Sequence, residues 1–336
     1  MSVASPDVVI ASPAAPPGRR LARTRTLARH LAMSFVTLVL ISFVAFAAMN
    51  RSGQQIARSA LGRGVTAEQL QAYIAAHGLD RPLLVRYLDW LAHYVRGDWG
   101  NTLTSNVPVK SLILPGFANT AELAVVSLLW SVPVAVALGV FMARKGGVFD
   151  RGALVVLTVL AALPEFVLGL GVMILLAVQL RWLPVGSGAV SGEVGPAWFA
   201  AFVLPALTLG LGVVPYVSRI ARATVSESLT APFTRNAVLR GLPRRRVVWG
   251  HATRSAAVPL VNAVALNIIY LMGGAIIVEN VFSFPGLGRL LVQAIVQGDT
   301  NSALAITVLL GAVFIVLGLV ADVAVTYLNP RLKAVK

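Results

Sequence analysis

The chain has 336 residues, is 57% hydrophobic and carries only 12% charged residues, with a mean hydropathy of +0.80. A soluble domain of this length would hold about twice that charge, so an ordinary water-soluble globule is excluded. Its formal charge of +15 is clustered, and the absence of cysteine excludes disulfides and thiolate sites.

Residues 1–18, rich in Pro, Ala and Ser, read as disordered, and five arginines follow between Arg19 and Arg29. Residues 1–30 together are a basic cytoplasmic N-terminus, and 31–336 form the membrane domain. The first uncharged run, 31–49, contains Ala45-Phe46-Ala47, which resembles a signal-peptidase site. The run is longer than a usual signal core, so it reads as an uncleaved anchor. Further clean runs cover 123–143, 256–278 and 301–321, and two proline-bearing spans cover 152–180 and 198–218. These predict six transmembrane helices in an all-α integral membrane protein.

The long segment 50–118 is expected outside the membrane. Thr66 and Gln69 have capping-box spacing for a short helix that Gly78 closes, and Pro82 opens a second helix ending at Gly97. Apolar positions 83, 84, 87, 88, 91 and 95 fall on one face of that helix, predicting an external α-hairpin. It is read either as a lid on the bundle or as a docking surface for an external partner.

Basic residues sort by loop. Three lie in 144–151, eight in 219–255 and three after Pro330, while 181–197 and 279–300 hold one each. This bias places both termini in the cytoplasm. The excess positive charge is thus a topology signal rather than a nucleic-acid footprint. Residues 219–255 make a long cytoplasmic loop. Within it Pro232 and Phe233 open a helix through Leu239 and Arg240, Gly241 breaks it, and Pro243 starts another. Two short helices joined by glycine predict a rigid projecting knob. Arg244, Arg245 and Arg246 suit the anionic leaflet, but lipid anchoring does not account for the helix–Gly–helix break.

Several chemistries lack their residues. The dipeptide Gly-Lys is absent, so no phosphate-binding P-loop exists here, and His-Glu-x-x-His and Gly-x-Ser-x-Gly are missing. His30, His77, His93 and His251 are scattered, which argues against a metal site. "GLGVM" and "GLGRL" lack a third glycine and read as helix packing and a turn. Glu165, beside Pro164 in the middle of its span, is the one acid deep in a membrane segment and a candidate polar site. Glu122 and Asp322 lie near helix ends and read as structural. "SFPGLG" (283–288) suggests a short re-entrant turn at the outer mouth, or else a tight loop.

The stretch "FTRNAVLRGLPRRRVVWGHATRSAAVPLV" resembles the coupling loop of permeases from binding-protein-dependent ABC importers, in particular the dipeptide, oligopeptide and nickel group. Arg235, Ala237, Gly241, Leu242, His251, Arg254 and Pro259 match that pattern, Arg240 takes a lysine position and Phe233 a tyrosine position. "GLDRPLLVRYLDWL" with "GDWGNTL", then "VENVFSFPGLGRLLVQAI" and "LNPRLK", resemble the same group in the same order. The resemblance implies a type I importer bundle in a bacterial plasma membrane. It also implies a second permease, two ATP-binding subunits holding ATP and Mg, and an external substrate-binding protein, with no cofactor in this chain. Phe233, Arg235, Ala237, Arg240, Gly241, Leu242, His251 and Arg254 would form the ATPase-coupling loop, and peptides are the implied cargo. The competing expectation is an ion-coupled secondary transporter relaying charge through Glu165.

Overall fold

The computed structural model describes residues 19–50, 53–62, 64–103, 105–187, 195–243, 246–253 and 257–328, and within them the chain is helical without strands. In chain order these are α1 (Arg19–Met49), α2 (Gly53–Leu61), α3 (Ala67–Ala76), α4 (Leu83–Val95), α5 (Val109–Lys145), α6 (Gly147–Ala162) and α7 (Glu165–Met173), which ends in a π-helical turn, Ile174–Gln179. They continue as α8 (Pro196–Thr230), α9 (Pro232–Leu239), a second π-helical turn (Val247–Ala252), α10 (Ala257–Val281), α11 (Leu287–Gln297) and α12 (Thr300–Leu328).

Among the described residues five helices are long and apolar enough to cross a bilayer, and α6 with α7 makes a further pair bent by 106°. The expected single helix over 152–180 is therefore corrected to a broken span. Pro164 is the cause: its ring disfavours a helical conformation at Leu163, which is extended at ψ 131°, and it lacks an N–H. The pair still carries the chain across. Trp130 of α5 packs on Gly210 of α8, and Gly139 packs on Ser218 and Ala221, so the two helices run parallel. Residues between them must then return to the opposite membrane face, which makes the bent pair the sixth crossing.

The α5–α8 contact is the most extensive in the bundle. A Cβ on Gly139 would lie 2.5 Å from the Ser218 carbonyl oxygen, and one on Gly210 would lie 2.1 Å from the Trp130 ring. Small residues thus let the backbones approach, as dispersion-driven membrane packing favours. Proline inside α8 also leaves carbonyls open. Pro205 cannot bond the Ala201 oxygen, and the buried Ser187 hydroxyl donates to it at 2.6 Å.

The Thr66–Gln69 capping box is present, and α3 ends at Gly78, whose φ of +58° closes the helix. On α4 half of the expected face packs, with Leu83 and Leu91 beside Tyr87. Leu84, Leu88 and Val95 are exposed, whereas Tyr87 is buried against Phe43 and Phe46 of α1 and hydrogen-bonds Ser42 at 2.7 Å. Trp90 and Tyr94 continue this stripe, and the Tyr94 hydroxyl donates to the Ala305 carbonyl of α12 at 3.2 Å. Aromatic rings with a polar tip outcompete leucines because they fill more volume and still satisfy a backbone acceptor. α5 begins at Val109, inside the stretch read as external, and α8 runs on to Thr230, well into 219–255.

Candidate functional site

The knob that the sequence predicts is built by caps. Pro232 stands at the first turn of α9, and Thr234 folds inward, its hydroxyl donating to the Ser228 carbonyl at 2.6 Å. At the other end the N–H of Leu242 bonds the Ala237 carbonyl at 3.3 Å and that of Gly241 bonds Val238 at 2.9 Å. This pairing is a Schellman closure, and it needs the left-handed φ of +76° that Gly241 adopts. Ala237 is buried under the turn and Leu242 is half-buried. Phe233, Arg235, Val238, Leu239 and Arg240 face outward, with Leu239 77% exposed at the tip. The return path is the π-helical turn Val247–Ala252, which contains the backbone of His251; the side chain of His251 and all of Arg254 lie outside the described residues.

Glu165 is not brought to this knob. It opens α7, directly after the break at Pro164, rather than lying in mid-helix. Its carboxylate sits over Gly274 of α10, where a Cβ would lie 2.3 Å from Oε2, and near Gly212 of α8, and the Tyr270 hydroxyl faces it. Gly212 stands about 27 Å along α8 from the knob, at 1.5 Å of rise per residue. Beside Glu165 an open cavity of about 290 Å³ is lined by Gly212, Tyr216, Arg219, Asn267 and Tyr270 among others.

A third place was not singled out from the sequence. Glu279, the first charged residue after the apolar run ending at Val278, has no solvent exposure. Its carboxylate accepts from the Thr120 hydroxyl at 2.6 Å and from the backbone N–H groups of Gly288 and Arg289 at 2.7 and 3.1 Å. The N-cap of α11 is Gly286, which has no side chain to offer, so Glu279 accepts these bonds from another helix. That missing cap was the available signal. The turn before α11 is inserted rather than loose: Phe282, Phe284 and Leu287 are buried, Ser187 N–H bonds the Phe282 carbonyl, and Asn119 bonds the Pro285 carbonyl. Among the described residues no group of His, Asp and Glu is placed to hold a metal.

A parallel α5–α8 pair, a broken span and a capped knob after α8 thus make up a helical membrane bundle. The family described as binding-protein-dependent transport system inner membrane component matches residues 135–334, and its N-terminal part matches residues 23–138. The chain belongs to this family and is a permease of the ABC importer class. The probable peptide ABC transporter permease protein y4tP of Sinorhizobium fredii is 33% identical over 269 residues, covering 79% of this chain and 86% of that one. The glutathione transport system permease protein GsiC of Salmonella typhimurium is 31% identical over 298 residues, covering 88% and 95%. In fold the chain is similar to the MetNI methionine ABC transporter, with a TM-score of 0.53 at 18% identity, covering 66% of this chain and 98% of the other.

Proposed function

We propose that this chain is one permease subunit of an ATP-driven peptide importer, forming half of the pathway across a bacterial plasma membrane with both termini in the cytoplasm. A second permease completes the pathway, an external binding protein delivers cargo, and two ATP-binding subunits hold ATP and Mg. The observation that carries the reading is the knob. Its rigid base and its outward Phe233, Val238 and Leu239, flanked by Arg235 and Arg240, suit insertion into a groove on another protein. A chain without a phosphate-binding loop needs such a mechanical input. Two relatives named for peptide and glutathione transport support peptides as the cargo class. Ion coupling through Glu165 gains no second acid from the geometry, since Glu279 is committed to α11.

Gly241→Pro forces φ to about −65° where +76° is needed. The expected result is loss of peptide uptake with normal membrane insertion, and loss of ATP-binding subunits from a gently purified complex. Wild-type uptake by a correctly inserted variant would overturn the coupling role. Uptake that survives ATP depletion and collapses with the proton gradient would favour the ion-coupled class.

A further inference from the structure

Arg219 lines the cavity, and Glu165 stands behind two of its lining residues, Gly212 and Tyr270; the two opposite charges do not pair with each other. The Arg219 side chain is fixed by its Nε–H, which donates to the Pro215 carbonyl at 3.1 Å, and its two terminal nitrogens have no partner among the described residues. The planar fork that remains suits a carboxylate. Asn267 donates its amide N–H to the Ala263 carbonyl at 2.9 Å, leaving its amide oxygen free toward the cavity it lines. Among the described residues Glu165 has no cationic partner and meets the Tyr270 hydroxyl. Charges inside a membrane bundle are costly, and structural ones are found paired. Two opposite charges left unmatched, one on the cavity wall and one beside it, call for a ligand carrying both.

The spacing limits that ligand. Glu165 abuts Gly212, and Arg219 lies seven residues further along the same helix, about 10 Å of axial rise. The Nε–H bond back to Pro215 draws the guanidinium toward Gly212, shortening the gap. An extended chain covers about 3.3–3.6 Å per residue, so two to three residues fit between the charges. The cavity, about 290 Å³, lies near the lower end for ligand pockets, which run about 300–1,000 Å³.

We infer that this cavity is a way-station on the translocation path for short peptides with free termini, Glu165 receiving the terminal ammonium and Arg219 the terminal carboxylate. Asn267 and Tyr270 lie between them as neutral hydrogen-bonding groups, and Tyr216 contributes a ring wall. Like the peptide reading above, on which it rests, this assigns no chemistry to the chain. It states which part of the pathway discriminates cargo by its charged ends.

The test uses the complete transporter in proteoliposomes with ATP and its binding protein, and radiolabelled dialanine or trialanine as probes. The readout is ATP hydrolysed per peptide imported. Glu165→Gln and Arg219→Gln are each expected to raise that ratio about tenfold, because a charge-assisted contact is lost in the pathway. Glu165→Asp and Arg219→Lys should raise it less than threefold. An unchanged ratio in both Gln variants overturns the inference, as does a fall in import that only follows a fall in assembled transporter. A zwitterionic lipid headgroup has the same charges, so the measurement is repeated in vesicles of phosphatidylglycerol alone. An effect confined to vesicles containing phosphatidylethanolamine assigns the charges to lipid and overturns the proposal. A wild-type transporter that hydrolyses ATP but imports neither peptide sinks the peptide reading itself, which separates the two failures.

Discussion

Removing the Glu279 carboxylate should undock α11. Three donors converge on it: the Thr120 hydroxyl and the N–H groups of Gly288 and Arg289. Thr120 is itself bound to the turn, since its oxygen accepts from the Leu287 N–H at 2.8 Å. Glu279→Gln keeps the volume. Its carbonyl oxygen can hold both N–H groups while its amide nitrogen donates to Thr120, so only the charge assistance is lost. At roughly 0.5–1 kcal/mol per bond this costs about 2 kcal/mol. Glu279→Ala leaves the two N–H groups without an acceptor, at about 1–3 kcal/mol each, while the Thr120 hydroxyl keeps the Gly116 carbonyl at 3.1 Å. Hydrogen bonds within membrane bundles contribute at the low end of such ranges, so about 3 kcal/mol is expected for the alanine variant. At 1.4 kcal/mol per factor of ten, local opening of α11 should rise by about two orders of magnitude. Arg289 sits in the first turn of that helix and gives the assay: trypsin cleavage at this bond in the purified, detergent-solubilised protein, against exposed Arg96 as internal control. The expected order of cleavage rates is Ala above Gln above wild type, with melting temperatures in the reverse order. Glu279→Ala cleaved at Arg289 within threefold of the wild-type rate, with unchanged melting, would refute the capping argument.

Two further predictions concern charge. Arg222 of α8 grips Asp150 of α6 with both its Nε and an Nη, the latter at 2.5 Å, in a half-shielded bidentate pair at the knob end of the bundle. Asp150→Asn should cost about 1–3 kcal/mol in detergent melting, between the values for exposed and buried pairs, and Arg222→Gln added to it should cost less than the sum of the two singles. Additive costs would show that the pair has no coupling. Outside the membrane-spanning helices, burial pushes the Tyr94 phenol up to about 12 from its ordinary 10. The native state therefore holds this proton where the unfolded chain releases it. Stability from Tyr94 is complete below about pH 10 and is lost as pH rises through 12. Tyr94→Phe should flatten that alkaline loss in a melting series, and an unchanged slope would count against it.

Much of this architecture was legible because its signals are local. The spans follow from uncharged runs, since an unpaired charge or bare backbone in lipid costs several kcal/mol wherever it falls. The knob was equally legible. A proline at the start of α9 and a glycine at φ +76° after it are the residues that helix termini need, whatever the helix packs on. The hairpin was half legible: its caps and the inward Leu83, Tyr87 and Leu91 were read correctly, but Leu84, Leu88 and Val95 turn outward, and Trp90 and Tyr94 complete the packed stripe against α1 and α12.

The sequence by itself therefore determined the number of crossings and the shape of the exposed knob. Only the tertiary structure decided what each polar group meets. Glu279 is matched to a hydroxyl 159 positions away, and Gly139 and Gly210 set the parallel pairing of α5 with α8 by steric approach. The 106° turn at Pro164 moves Glu165 out of a helix middle and onto a seam between Gly212 and Gly274. Proline marks where a helix ends, but the direction taken afterwards is fixed by the surfaces that close around it.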